Sequence, residues 1–185
     1  MKDERSWMRR TLVMAALMLA AAGSAVAGQP KTPCDRVDGG THLLTDAMRA
    51  ALASRYRSYQ VRRQCLADLT ENTDLDPKAL SVTSGDYDDD GHKDVAVLLE
   101  SKPGAQAGAR VIIVAFLSSR GGSPVYAGEG NGYVSSNAKG DLGHNWDLEQ
   151  DFTFQRDAIF TGDFHCCGYS LIFVKGRFIR ITTSD

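Results

Sequence analysis

The residues most able to do chemistry lie in one short acidic segment. Residues 86–94 hold five aspartates, with a glycine at the sixth position. Carboxylates this close repel one another, so a folded loop that gathers them needs a cation or wide access to solvent. Hard oxygen ligands on a turning backbone suit Ca²⁺, which takes 6–8 oxygens at roughly 2.3–2.6 Å. The predicted ligands are the side chains of Asp86, Asp88, Asp90 and Asp94 and the backbone carbonyl of His92.

This segment differs from the loop of an EF-hand. An EF-hand has a bidentate Glu at position 12 and a helix after it, whereas here position 12 is Val97 and residues 95–99 form an apolar run with strand character. The pattern Asp-x-Asp-x-Asp-Gly-x-x-Asp before an apolar strand resembles the calcium loop of FG-GAP (VCBS-type) repeats. That resemblance covers residues 85–99 and implies the same ligand set. The Gly-Ala-Pro sequence that usually follows is absent.

The strands on either side of the acidic segment must position it. Residues 79–83 predict a short strand that enters the loop, and residues 95–100 predict one that leaves it, so the two form a hairpin. Residues 110–117 are the most apolar run after the amino-terminal leader, and their β-branched content indicates a central strand.

The remaining segments complete the predicted fold. Apolar residues at three- and four-residue steps predict a helix from Thr41 to about Tyr56, with Thr41 or Thr45 as N-cap. Residues 128–142 are rich in Gly, Ser and Asn and predict a long surface loop, and Lys175-Gly176 predicts a hairpin turn. The fold class is α+β, with one or two amino-terminal helices followed by a mostly antiparallel sheet of about five to seven strands. The acidic motif occurs once, which excludes a propeller.

The amino terminus has the layout of a secretory signal peptide. Basic residues precede an apolar stretch at 12–22, and Ala25-Val26-Ala27 supplies a small-x-small cleavage site. We therefore expect a signal peptide at 1–27, a linker at 28–40 and a single domain at 41–185. The expected location is periplasmic or secreted.

The charge balance limits the class of partner. The chain has 21 basic and 23 acidic residues, and removal of the leader lowers the formal net charge from −2 to −4. An acidic domain is a poor match for nucleic acid or an anionic membrane surface. The expected partner is an unidentified protein or glycan, with no membrane association once the leader is cleaved.

All four cysteines follow the leader, and an even number in an exported chain favours disulfides. Cys34 can pair with Cys65, which leaves the adjacent Cys166 and Cys167 to each other. Cross-pairing of Cys34 and Cys65 with that doublet is the alternative, and the sequence does not decide between them.

Three functions are compatible with these features. The first is a non-enzymatic domain in which Ca²⁺ organises the loop and another surface binds a protein or glycan. The second is an inhibitor or immunity-type protein directed at a periplasmic enzyme. The third is a small hydrolase that uses His144 or His165 with a carboxylate, although Gly-x-Ser-x-Gly and His-Glu-x-x-His are both absent. The sequence identifies no catalytic residue and no cofactor besides Ca²⁺.

Overall fold

The computed structural model describes residues 36–37, 39–65, 80–105, 110–164 and 166–184, all of which belong to one unit, Cys34–Asp185. The predicted signal peptide, Cys34 and His165 lie outside the described residues. The strands, in chain order, are β1 Arg36–Val37, β2 Tyr59–Val61, β3 Gln64–Cys65, β4 Val82–Gly85, β5 Asp94–Ser101, β6 Val111–Phe116, β7 Pro124–Glu129, β8 Tyr133–Asn137, β9 Leu142–Asn145, β10 Gln150–Thr153, β11 Ala158–Gly162, β12 Gly168–Val174 and β13 Arg177–Ser184.

The predicted amino-terminal helix is present and is the single α-helix of the described part. It is α1, Asp46–Arg55, and a turn of 3₁₀ helix at Thr41–Leu43 precedes it. The side chain of Thr45 accepts a hydrogen bond from the backbone N–H of Met48 at 3.2 Å. This confirms Thr45 as the N-cap, because a capping oxygen satisfies an N–H that has no partner within the helix.

Strands β5 and β6 form the centre of a five-stranded antiparallel sheet. On the other edge of β5, β4 pairs with its first half and β2 pairs with its last three residues. Strand β7 pairs with the far edge of β6. The β4–β5 hairpin around the acidic loop and the central position of the apolar run at 110–117 are therefore as predicted.

A second antiparallel sheet corrects the expectation of one sheet with five to seven strands. It has four strands in the order β13-β12-β11-β8, and two-stranded ribbons are formed by β1 with β3 and by β9 with β10. Strand β8 lies inside residues 128–142, where a surface loop was expected, so that expectation is wrong. Its residues Ser135, Ser136 and Asn137 are polar, so the segment lacks the apolar alternation that predicts a strand. Strand β1 lies within the predicted linker.

The two larger sheets and the helix pack as three layers. Alternate residues of β5 and β6, including Leu98 and Ile113, face β11 and β12 of the four-stranded sheet. The intervening residues, including Val97 and Val114, face α1. Side chains alternate between the two faces of a strand, so both faces of the central strands are buried and their sequences are continuously apolar.

The closing hairpin also forms as predicted. Lys175 and Gly176 join β12 to β13, and both have positive φ, at 50° and 85°. Two-residue turns of this kind match the twist of the flanking strands. Among the described residues, no helix combines the length and the apolar character that a membrane span needs.

The core between the sheets can be tested at Leu98, which is fully buried. We expect Leu98→Ala to lower the free energy of unfolding by about 2–5 kcal/mol, since it removes apolar contacts and leaves a cavity. The measurement is urea denaturation followed by circular dichroism. Leu142→Ala is the control, because Leu142 is 83% exposed and its truncation should change stability by less than about 0.5 kcal/mol.

Candidate metal centre

The acidic loop is fixed to the core by its second residue. Tyr87 is fully buried among side chains of both large sheets. Its backbone N–H donates to a carboxylate oxygen of Asp94 at 2.9 Å, and its hydroxyl lies 3.5 Å from the hydroxyl of Ser136. Burial raises the pKa of Tyr87, so the phenol stays neutral. The chain therefore enters and leaves the loop at positions set by core packing.

Three of the four predicted side-chain ligands converge. One carboxylate oxygen from each of Asp86, Asp88 and Asp94 lies within 4.8 Å of the other two. The Asp90 carboxylate is not part of this group: it accepts from the backbone N–H of His92 at 2.9 Å and from the hydroxyl of Ser118 at 2.5 Å. His92, whose carbonyl was predicted as a ligand, is exposed.

Uncharged donors hold the three converging carboxylates in place. Asp86 accepts from the backbone N–H groups of Asp90 and Gly91, at 3.0 and 2.9 Å. Asp94 accepts from the N–H of Ser118 at 2.7 Å, and Asp88 accepts from the hydroxyl of Ser119. These hydrogen bonds orient the oxygens but leave the negative charges uncompensated. Like charges 4 to 5 Å apart repel by about 3 to 4 kcal/mol per pair at an effective dielectric constant of about 20.

Burial adds to this electrostatic cost. Asp94 is fully buried, and its pKa is raised first by that burial and further by the charge of Asp88. The Oδ1 atom of Asp88 is also buried, and none of the described residues forms a hydrogen bond with it. A buried carboxylate oxygen without a partner is expensive, so its position is one that a bound cation can make favourable.

Two basic side chains, Lys139 and Arg156, contact other parts of the loop. Lys139 pairs with Asp89 at 2.9 Å, and that contact holds the pKa of Asp89 below its usual range. The guanidinium of Arg156 lies 3.5 Å from the backbone carbonyl of Asp88. Neither of these two contacts is made to a carboxylate of the converging group.

Asp157 supports the loop from another part of the chain and is not among the residues predicted from the sequence. Its two carboxylate oxygens accept from the backbone N–H groups of Asp86 and Lys139, each at 2.8 Å. Gly85 makes this approach possible, because a Cβ there would lie 2.8 Å from the Ser136 hydroxyl and 2.9 Å from Asp157. A single Asp before a strand carries no local signal of such a role.

Of the two histidines considered for hydrolysis, His144 is the one that the structure describes. His144 lies in β9, and its Nδ1 atom is 2.7 Å from Asp151 in β10. Its Nε2 atom has no hydrogen-bond partner in the described structure, and a nucleophile within reach of that atom is what a hydrolytic base needs. His144 packs edge-on against Trp146, which is 42% exposed.

Each cysteine in the described part of the chain is assigned to a disulfide. Cys166 and Cys167 are bonded to each other at the exposed connection between β11 and β12. Cys65 is also disulfide-bonded, and its partner lies outside the described residues. The pairing of Cys34 with Cys65 stays a prediction, because Cys34 lies outside the described residues.

No family model, curated protein or solved structure matches this chain. The resemblance to FG-GAP loops therefore depends on residues 85–99 alone and stays a prediction.

The role of Asp157 can be tested by Asp157→Asn. In this variant the side-chain NH2 group faces one of the two backbone N–H groups, of Asp86 or Lys139, and cannot accept from it. One hydrogen bond is therefore lost, and the negative charge of the carboxylate is removed. We expect the free energy of unfolding to fall by about 1–3 kcal/mol in urea denaturation. Asp147→Asn makes the same chemical change at an exposed site and should stay within about 0.5 kcal/mol of the wild type. Equal stability of the two variants would contradict the supporting role.

Proposed function

We propose that this protein is an exported, non-enzymatic binding domain in which a structural Ca²⁺ ion completes the acidic loop. The observation that carries the proposal is the convergence of the Asp86, Asp88 and Asp94 carboxylates, with Asp94 fully buried and an oxygen of Asp88 buried without a partner. Folding has brought these charges together, and the hydrogen bonds that the described residues make to them come from uncharged donors.

The donor set fits a hard divalent cation. All the available groups are oxygens, from carboxylates and the irregular backbone of the loop, and such sites favour Ca²⁺ over softer metals. Asp86, Asp88 and Asp94 would hold the ion, which would neutralise their mutual repulsion. Because Asp94 begins β5 and its carboxylate contacts the N–H of Ser118 after β6, neutralisation here would stabilise one end of the central sheet.

The role assigned to the ion is structural. The converging carboxylates are themselves the groups that hold the ion, and hydrogen bonds from backbone N–H groups and Ser119 fix their orientation. A second surface then serves as the binding site for a protein or glycan partner. The leader-like amino terminus and the paired cysteines support a periplasmic or secreted location.

Calcium should raise the melting temperature of the mature protein. An ion that binds only the folded state at a hundredfold excess over Kd contributes about 2.7 kcal/mol, which corresponds to roughly 5–10 °C for a domain of this size. For a Kd near 10⁻⁴ M this requires about 10 mM Ca²⁺. The measurement is differential scanning calorimetry in Ca²⁺, in Mg²⁺ and in chelator. Mg²⁺ should produce a smaller shift, because it demands stricter octahedral geometry. Identical melting temperatures in Ca²⁺ and in chelator would contradict the proposal.

Two neighbouring substitutions locate the ion within the loop. Asp88→Asn removes a charge from the converging group and should abolish the calcium-dependent shift. It should not lower the melting temperature in chelator, since it relieves repulsion. Asp89→Asn makes the same change one residue away, outside the group, at a positive φ that Asn tolerates. It should retain the shift, and an equal loss in both variants would show that only the overall charge of the loop matters.

A further inference from the structure

A groove of about 390 Å³ lies between the β9–β10 ribbon and the four-stranded sheet. Asn137, Phe160 and Thr183 line it from β8, β11 and β13. These residues alternate with the inward-facing residues of their strands, so they lie on the outer face of the sheet, away from the core. The volume falls within the range of roughly 300–1,000 Å³ that small-molecule sites occupy.

The floor of the groove carries a row of polar side chains. The Asn137 amide donates to the hydroxyl of Ser170 at 2.9 Å, and that hydroxyl lies 2.9 Å from the hydroxyl of Thr183. This row uses one of the two N–H donors of the Asn137 amide and fixes the direction of that side chain. Its carbonyl oxygen is then the group best placed to accept a hydrogen bond from a ligand.

The ribbon supplies apolar walls. Phe154 is buried and Leu142 is almost fully exposed at the edge. Glycine at 143 sets the position of the aromatic rings, because a Cβ there would lie 2.8 Å from the ring of Phe152 and 3.0 Å from that of Phe154. Both rings therefore pack directly against the ribbon backbone at Gly143.

The charge of the lining selects against anions. Asp141 lies at the rim and is the one charged residue among the described residues that line the groove. One of its carboxylate oxygens accepts from the N–H of Ala138 at 2.8 Å, and the carboxylate keeps further lone pairs that can accept from a ligand. The groove thus offers acceptors beside apolar rings. It suits a neutral ring that has several hydroxyl donors and one apolar face.

The geometry points to a carbohydrate site in this groove, with a neutral pyranose ring as the bound unit. The apolar C–H face of the sugar packs against Phe160 and Leu142, as aromatic and aliphatic walls favour. Hydroxyl groups of the sugar donate to Asp141 and to the carbonyl of Asn137. The carbohydrate site gives the class of partner that the binding domain takes. It rests on the proposed function only for the role of calcium, which is described next.

The acidic loop is connected to the rim of this groove. The Asp157 carboxylate joins the N–H of Asp86, at the start of the loop, to the N–H of Lys139, in the turn that carries Asp141. Lys139 also pairs with Asp89. An ion that orders the loop therefore orders the turn that presents Asp141, so the affinity for the sugar rises when Ca²⁺ is bound.

The test is isothermal titration calorimetry of the mature protein with glucose, galactose, mannose, N-acetylglucosamine and their β1,4-linked disaccharides, up to roughly 10 mM, since weak sites bind near 1 mM. Each titration is run with Ca²⁺ and with chelator. We expect at least one of these sugars to bind. Asp141→Asn and Leu142→Ala should each weaken that binding by about tenfold. Both residues are exposed, so the fold should survive. Asp147→Asn, in the turn of the same ribbon, is the matched control and should bind like the wild type.

Failure of every sugar to bind, or equal affinity in all three variants and the wild type, would overturn the carbohydrate site. Putrescine is included because it donates hydrogen bonds but has no ring. Tighter binding of putrescine than of any sugar would also overturn the carbohydrate site. The calcium titration of the same protein is a separate readout. Sugar binding that survives in chelator and is lost in Asp141→Asn still supports the groove, even where the calcium proposal fails.

Discussion

Burial of β5 and β6 on both faces is the constraint on which the rest of the structure depends. Each strand sends alternate side chains to the helix and to the second sheet, so neither layer can shift without exposing apolar surface. The same two strands place the candidate site. Asp94 is the first residue of β5, and Ser118 follows β6. The pairing of these strands places the backbone N–H of Ser118 within hydrogen-bonding distance, 2.7 Å, of the Asp94 carboxylate. Hydrophobic packing thus determines where the charges lie.

In the acidic loop, packing and hydrogen bonds hold three carboxylates close together although their charges repel one another. Tyr87 in the core and Asp157 beneath the loop hold the chain from two sides, and the donors around the carboxylates are backbone N–H groups and serine hydroxyls. A loop that was free to move would separate its like charges into water. Because the contacts of Tyr87 and Asp157 hold this loop, its charges stay close together, and a divalent cation could compensate them. The more firmly these contacts hold the loop, the more a bound cation would add to the free energy of unfolding.

The contacts of Asp157 and Lys139 also connect the acidic loop to the residues that border the groove. The turn after β8 and the connection before β11 each contact the acidic loop and each border the groove. The proposed ion and the proposed ligand site would share these connections, so each could influence the other without any large movement. Small exported domains with limited cores commonly gain rigidity from such ions and from disulfides.

The sequence by itself determined the local features of this protein. The spacing of Asp86, Asp88 and Asp94, the hairpin around them, the apolar β6 and the Lys175-Gly176 turn all follow from patterns within a few residues of each other. Tertiary structure decided the division of the strands into two sheets, the inclusion of polar β8, the separation of Asp90 from the converging group and the support from Asp157. These depend on pairing between residues distant in the chain. Such pairing is settled by which apolar faces can be buried together, and no local pattern records it.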